Sequence, residues 1–377
     1  MNPLLRLQEY GQSIWYDNIH RDLLTKGELA QMIREDGLGG VTSNPTIFEK
    51  AISGSPTYDQ ALRKLLAGQP TLDDQALFFE LAMEDIRMAA DLLLPVYRNS
   101  VRGDGMVSLE VSPDLAFDTE GTVQEARRLF RQLDRPNVMI KVPATEAGLP
   151  AIETLIAEGI NVNVTLLFSI DRYREVAEAY LLGLESLLRR GRELSSVHSV
   201  ASFFVSRVDS RVDALLETRL AQTASEEEGA ALRALQGKAA IANAKLAYQA
   251  YLEIYGGERF ARLREAGALP QRLLWASTGT KNPAYSDVLY VDALIGPETV
   301  NTVPPATYAA YKDHGDPRPR LTEDVEGARR VMRQLAEAGI DMDAITADLE
   351  EEGVRLFAES FHTLLAGIGE KRRALVA

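Results

Sequence analysis

The sequence predicts an α/β fold, a single (β/α)8 barrel with extra helices that include C-terminal ones. Three observations predict it. Eight short apolar segments alternate with longer stretches of helical periodicity, the pattern of parallel βαβ units. The chain has 377 residues, and a TIM barrel needs ~250 for its core. No linker rich in Gly, Ser or Pro divides the chain, so residues 1–377 read as one domain, with 321–377 a helical C-terminal extension.

In chain order the strand candidates are Ser13–Ile19, Gly39–Asn44, Gly105–Ser112, Val138–Ala144, Gly159–Phe168, Val200–Arg207, Arg272–Ser277 and Val300–Pro304. Helical stretches lie between them. Asp74–Pro95 is the clearest, with Leu77, Leu81, Ile86 and Leu93 among its apolar positions. A long helical region runs from Asp209 to Tyr255, and Asp313–Arg320, with Pro317 and Pro319, reads as a loop. Beyond it, Phe357, Phe361, Leu364, Leu365 and Ile368 fall on one helical face. That helix is expected to pack on the outside of the barrel; the alternative is a cover over its mouth.

Composition excludes several classes. Apolar residues make up 46% and charged residues 25%, as in globular proteins. No apolar run reaches the ~20 residues of a membrane helix, and Met1–Arg6 lacks a signal-peptide layout. With no cysteine, disulfides and thiolate chemistry are excluded. A cytoplasmic location is expected, with no membrane partner. The net charge of −14 argues against a nucleic-acid partner. An anionic substrate would then need a few local cations and backbone amides.

Strands of a parallel barrel are buried on both faces and should read as continuous apolar runs. In Val138–Ala144, Lys141 breaks that rule. A buried amine kept from water becomes a usable nucleophile at neutral pH; a buried ion pair or a lysine snorkelling to the rim is the structural alternative. Neighbouring strands also carry polar faces. Asn161, Asn163 and Thr165 share one face of the fifth segment, against Ile160, Val162, Val164 and Leu166. Ser108, Glu110 and Ser112 share one face of the third. Facing inward, these groups converge on the upper lumen, where catalytic groups of this fold sit. Asp17 sits late in the first segment and Asn44 ends the second, where cap and turn roles compete with function. Arg207 closes the sixth segment, and Lys281 follows the loop Thr278–Thr280, which suits a phosphate.

Absences narrow the chemistry. There is no GxGxxG fingerprint, GxxxxGK[ST] loop, GxSxG elbow or HExxH, and His20, His198, His314 and His362 are scattered. A dinucleotide site, a histidine zinc site and a Ser-His-Asp triad are disfavoured.

The stretch Gly40-Val41-Thr42-Ser43-Asn44-Pro45-Thr46 resembles the signature of the transaldolase family. Val138–Ala144, around Lys141, resembles that family's Schiff-base lysine segment, and Gly159–Phe168 its fifth strand. The match runs in order from about Ser13 to Lys281, and Trp275–Asn282 looks most like the longer bacterial members. The resemblance implies that Lys141 forms an imine with a donor ketose. Glu110 would work with Thr165 and a water on proton transfers, and Asp17 would take the proton from the hydroxyl at carbon four. Asn44 and Asn163, helped by Ser202, would orient the dihydroxyacetone moiety. Arg207 and Ser277 would hold the phosphate. In shorter members an arginine stands two residues after the serine matched by Ser277. Here that position is Gly279, and Lys281, two further on, is expected to make the second phosphate contact.

Sugar phosphates are thus the implied partners, with transfer of a dihydroxyacetone unit in the non-oxidative pentose phosphate pathway and no metal or other cofactor. Monomer and homodimer both stay open. A fructose-6-phosphate aldolase releasing free dihydroxyacetone is the nearest alternative. Those relatives carry Gln where Glu110 stands and Tyr where Phe204 stands, so both residues favour transfer. A barrel that only binds sugar phosphates is opposed by Lys141, Glu110 and Asp17 occurring together.

Overall fold

The computed structural model describes residues 2–53, 55–100 and 103–376. Eight parallel strands close a barrel in sequential order. They are β1 (Gln12–Asp17), β2 (Gly40–Thr42), β3 (Met106–Glu110), β4 (Val138–Pro143), β5 (Val162–Leu167), β6 (Ser199–Phe204), β7 (Arg272–Ala276) and β8 (Thr299–Val303). Apart from half-buried Asp17, every strand residue is buried. Valines, leucines and isoleucines on the outward faces drive closure, each worth ~1.5–3 kcal/mol on full burial.

The helices that matter for the site are α1 (Pro45–Ser53), α2 (Asp74–Asn99), α3 (Thr119–Leu133), α4 (Gly148–Ala157), α5 (Ile170–Arg189), α6 (Ser206–Leu220), α7 (Ala239–Gly256), α8 (Pro305–His314), α9 (Val325–Glu337) and α10 (Met342–Val376). Side-chain caps start several of them. Asp73, Asp118 and Ser169 accept from the backbone amides of Ala76, Gly121 and Arg172.

Each expected strand lies in place, but all eight run past the ladder at their C-terminal ends by one to three residues. Those residues leave the sheet to build the loops of the barrel's mouth. Arg207 is a correction of kind: β6 ends at Phe204, and Arg207 lies in the first turn of α6. Helix α2 continues one turn beyond Pro95, because a proline near a helix end forfeits only one ladder bond. The stretch Asp209–Tyr255 is three helices, with Glu226–Leu235 between α6 and α7.

The floor of the barrel is polar and tightly cross-linked. Buried Arg272 of β7 donates to Ser13 Oγ at 2.6 Å, to Thr299 O at 2.7 Å and to Asp104 Oδ1 at 3.1 Å. Ser13 Oγ and Trp15 Nε1 donate to the same carboxylate, at 2.7 and 3.1 Å. Gly40 is required beside this floor, since a Cβ there would lie 2.5 Å from the Trp15 ring.

Helix α10 does not simply pack on the barrel's flank. Its middle crosses the mouth, and Phe357 closes one side of a cavity there. Phe361 packs edge-on against Phe78 of α2, with ring centroids 5.6 Å apart. Gly353 lets α10 approach β5, where a Cβ would come within 2.8 Å of Leu166. The expected alternation breaks at that leucine. β5 bulges between Val164 and Leu167, and Leu166 takes φ +60°. The bulge turns Leu166 toward α10 and out of its expected row.

Candidate active site

β4 carries Lys141 into the lumen, where it is 5% exposed. Its Nζ donates to Ser43 O at 3.0 Å and is ion-paired with Glu110 Oε2 at 3.3 Å. Register explains the pair: Glu110 of β3 stands opposite Lys141, which stands opposite Asn163 of β5. The inward reading of these faces therefore holds. Asn163 Nδ2 reaches across β4 to Ser108 Oγ at 2.9 Å, and its Oδ1 accepts from Ser202 Oγ at 2.7 Å. Thr165 lies two residues further along β5 and is fully buried. Asn161 is the exception in the group. Its amide is spent on the backbone, donating to Pro136 O and Val138 O and accepting from the His198 amide. It clamps strand ends and does not line the site.

Asp17 stands at the end of β1, with Oδ1 accepting from Thr42 Oγ1 at 2.6 Å. Burial pushes its carboxyl above the ordinary range, while the charges of Lys141 and Lys281 and the Thr42 hydrogen bond pull the other way. Burial likewise raises Glu110, with Lys141 opposing and the Asp17 charge adding to the rise. A carboxyl so raised, next to an ammonium, is able to receive its proton. Glu110 Oε2 and Thr165 Oγ1 have no aligned hydrogen-bond partner among the described residues. Each of these buried oxygens has the capacity to bond a water.

Above this group opens a cavity of about 590 Å³, lined by Asp17, Asn44, Arg207, Lys281 and Phe357 among others. Asn44 follows β2 and caps α1 through its Oδ1, which accepts from the Ile47 amide at 3.0 Å. The cap role and a place in the cavity wall coexist, because the Nδ2 donors remain available. Phe357 lies with its ring centroid 5.9 Å from Lys141 Nζ.

Arg207 sits 5.5 Å above the Phe204 ring, and Phe204 packs on Phe168 at 5.2 Å. Burial lowers the Arg207 pKa, with Glu352 of α10 opposing. Ser277, at φ +55°, follows β7 and shares a 3.0 Å hydroxyl contact with Ser206 at the start of α6. That contact places Ser277 beside the turn that holds Arg207. Lys281 is exposed on the cavity wall. Lys50 of α1, also on that wall, was not singled out by sequence, since a lysine on an amphipathic helix gives no signal. Among the described residues, none of Arg207, Lys281 and Lys50 has a carboxylate within ion-pair distance. In a chain of net charge −14, three such cations on one cavity suit an anionic ligand. No group of three or more His, Cys, Asp or Glu able to hold a metal occurs among the described residues.

Barrel and site together define a (β/α)8 enzyme with a buried amine beside the Glu110 carboxylate, under a cavity that Asp17 lines. Residues 14–368 match the transaldolase/fructose-6-phosphate aldolase family, and the chain belongs to that family. It is 50% identical over 369 residues to the transaldolase of Thiobacillus denitrificans, covering 98% of this chain and all of the relative. It is 48% identical to transaldolase 2 of Nostoc punctiforme, covering 99% and 98%. A transaldolase of a Parafrankia species is 50% identical over 370 residues, 98% of each chain.

Proposed function

We propose that this chain is a transaldolase. It moves a dihydroxyacetone unit from fructose 6-phosphate or sedoheptulose 7-phosphate to an aldose phosphate, either glyceraldehyde 3-phosphate or erythrose 4-phosphate. The observation that supports this most directly is Lys141 Nζ lying 3.3 Å from Glu110 beneath the cavity that Asp17 lines.

Lys141 attacks the ketone carbon as the free amine, its proton having passed to Glu110. The carbinolamine loses water, with Glu110 as the proton source and a water held between Glu110 and Thr165. Asp17 then takes the proton of the hydroxyl at carbon four. The bond between carbons three and four breaks, its electron pair moves into the imine, and the aldehyde fragment leaves. Asn44, Asn163 and Ser202 hold the remaining three-carbon enamine. Carbon three attacks the acceptor aldehyde, whose oxygen recovers the proton from Asp17. Hydrolysis of the new imine frees Lys141. Arg207, Lys281 and Ser277 hold the phosphate of donor and acceptor. The imine is itself the electron sink, so these steps call on no metal or organic cofactor. The setting is the non-oxidative pentose phosphate pathway in the cytoplasm, and residues 1–377 act as one domain.

Borohydride reduction with fructose 6-phosphate is expected to fix a reduced donor-derived adduct, chiefly the three-carbon unit left once the aldehyde has departed, on the peptide containing Lys141 and to leave Lys141→Ala unmodified. Labelling of the alanine variant would refute the assignment. Free dihydroxyacetone released near the transfer rate would move the reading to the aldolase.

A further inference from the structure

β8 is the strand from which the sequence offered no site residue, yet it sends Thr302 into the upper lumen. Thr302 is 3% exposed and Thr42 is 2% exposed. Thr42 Oγ1 lies 2.6 Å from Asp17 Oδ1 and 2.7 Å from Thr302 Oγ1. A hydroxyl carries one proton, and an ionised carboxylate can only accept. Thr42 must therefore give its proton to Asp17. Its oxygen is left as an acceptor, so Thr302 must be the donor in the second bond. The chain runs in one direction, Thr302 to Thr42 to Asp17, and each bond polarises the next. One Asp17 oxygen is tied into this chain, and among the described residues Thr42 is its side-chain hydrogen-bond partner.

We propose that Thr302 is a positioning residue for the proton transfers at Asp17, acting through Thr42. The inference rests on the reading of Asp17 as the group that takes the carbon-four hydroxyl proton. That proton must return to the acceptor's oxygen in the second half of the cycle. While Thr302 donates to Thr42, the Thr42 hydrogen stays on Asp17 Oδ1, and the incoming proton is confined to Oδ2. Without Thr302, Thr42 is free to turn and accept from a protonated Oδ1. The proton would then sit on the oxygen that faces β2 and would have to migrate before it could be returned. No extra reactant is involved: one proton leaves a hydroxyl, rests on Oδ2 and goes back to an aldehyde oxygen.

The charged groups that face Asp17 are Lys141 from β4, Glu110 from β3 and Lys281 from the loop after β7. His20, Arg21 and Asp22 line the same cavity from the helix after β1. A change at Thr302 removes none of them, so its effect on the pH profile can be read through the hydroxyl chain.

The test uses the full-length chain with Thr302→Val and Thr302→Ser, fructose 6-phosphate as donor and erythrose 4-phosphate as acceptor. In the valine variant kcat is expected to fall about tenfold, with KM for the donor changed less than about twofold. Its acid limb of kcat/KM is expected to move up by about half a pH unit, because the ionised form of Asp17 loses part of its hydrogen-bond support. Borohydride trapping of the donor should stay at the unmodified level, since imine formation does not use Asp17. The serine variant should recover both kcat and the acid limb. A valine variant with unchanged kcat and pH profile overturns the inference. So does equal impairment of valine and serine, or a loss confined to KM. If thermal unfolding shows the valine variant misfolded, Thr302→Ala against Thr302→Ser makes the same comparison with the same two outcomes. Asp17→Asn separates the two readings: turnover at the unmodified rate there removes the base itself, whereas an inactive Asp17→Asn beside a normal Thr302→Val removes only the role of Thr302.

Discussion

The two ends of the barrel each bury a cation beside a carboxylate, and they spend it differently. At the floor, the terminal nitrogens of Arg272 end on Ser13, Thr299 and Asp104, and Asp104 collects two further donors. At the mouth, Lys141 has a backbone carbonyl and one carboxylate, and among the described residues Glu110 Oε2 and Thr165 Oγ1 lack aligned partners. A rigid fork with several fixed acceptors holds strands together; a flexible amine with spare neighbours is left able to react. Both ends look alike as sequence, one basic residue in a buried strand, and only the count of partners separates them.

Replacing each cation by methionine tests that difference most severely. Lys141→Met is expected to lower turnover by about 10⁴-fold or more while costing only about 1 kcal/mol of stability, because Glu110, already raised by burial, takes up a proton. Arg272→Met is expected to cost about 3 kcal/mol or more, since Asp104 is left facing an apolar side chain. Urea unfolding alongside steady-state kinetics gives both numbers, and equal stability losses at the two sites would erase the contrast.

His198, at the foot of β6, extends the comparison to pH. Burial pushes its pKa down to about 4, and it packs against Tyr97. A depressed histidine means the unfolded chain binds the proton first, so stability is full above the unfolded value near pH 6.5 and falls as pH drops toward 4. The loss should approach about 3 kcal/mol at the acid end. His198→Gln should flatten that slope in unfolding free energies measured between pH 7 and 4; an unchanged slope would assign it elsewhere.

At the mouth, Glu110→Gln keeps the shape and removes the proton acceptor, and kcat should fall about 10²-fold with donor KM little changed. The smallest effect is expected at Lys281→Ala. Donor KM should rise about tenfold, consistent with one charged phosphate contact, and Lys281→Arg should recover most of it. A KM unchanged in the alanine variant would leave Arg207 and Ser277 as the phosphate contacts.

Much of this was legible because a parallel barrel imposes two hydrophobic faces on every strand. Lys141, Glu110, Asn163 and Thr165 stood out as violations of that rule, and register then brought Lys141, Glu110 and Asn163 side by side. Strand ends were read too long because apolar alternation continues into loops that no longer pair. The same continuation puts Arg207 on a strand in sequence, whereas it lies in the first turn of α6. Asn161 shared a period with Asn163, but periodicity cannot tell a lumen group from one that caps backbone carbonyls. Leu166 defeated the alternation through a bulge that leaves no sequence mark. Phe357 belonged to a visible apolar face, yet nothing in the pattern said which surface that face would meet. Lys50, Thr42 and Thr302 are ordinary residues for their elements, and only contacts set them apart.

Part of the cavity wall hangs on α10, a helix outside the hydrogen-bonded ladder, with Phe357 in the lining. Substitutions along that helix can reshape this wall while interstrand register stays as it is. Selection, natural or in the laboratory, thus has a handle on the shape of the cavity that leaves the pairing of the strands beneath untouched.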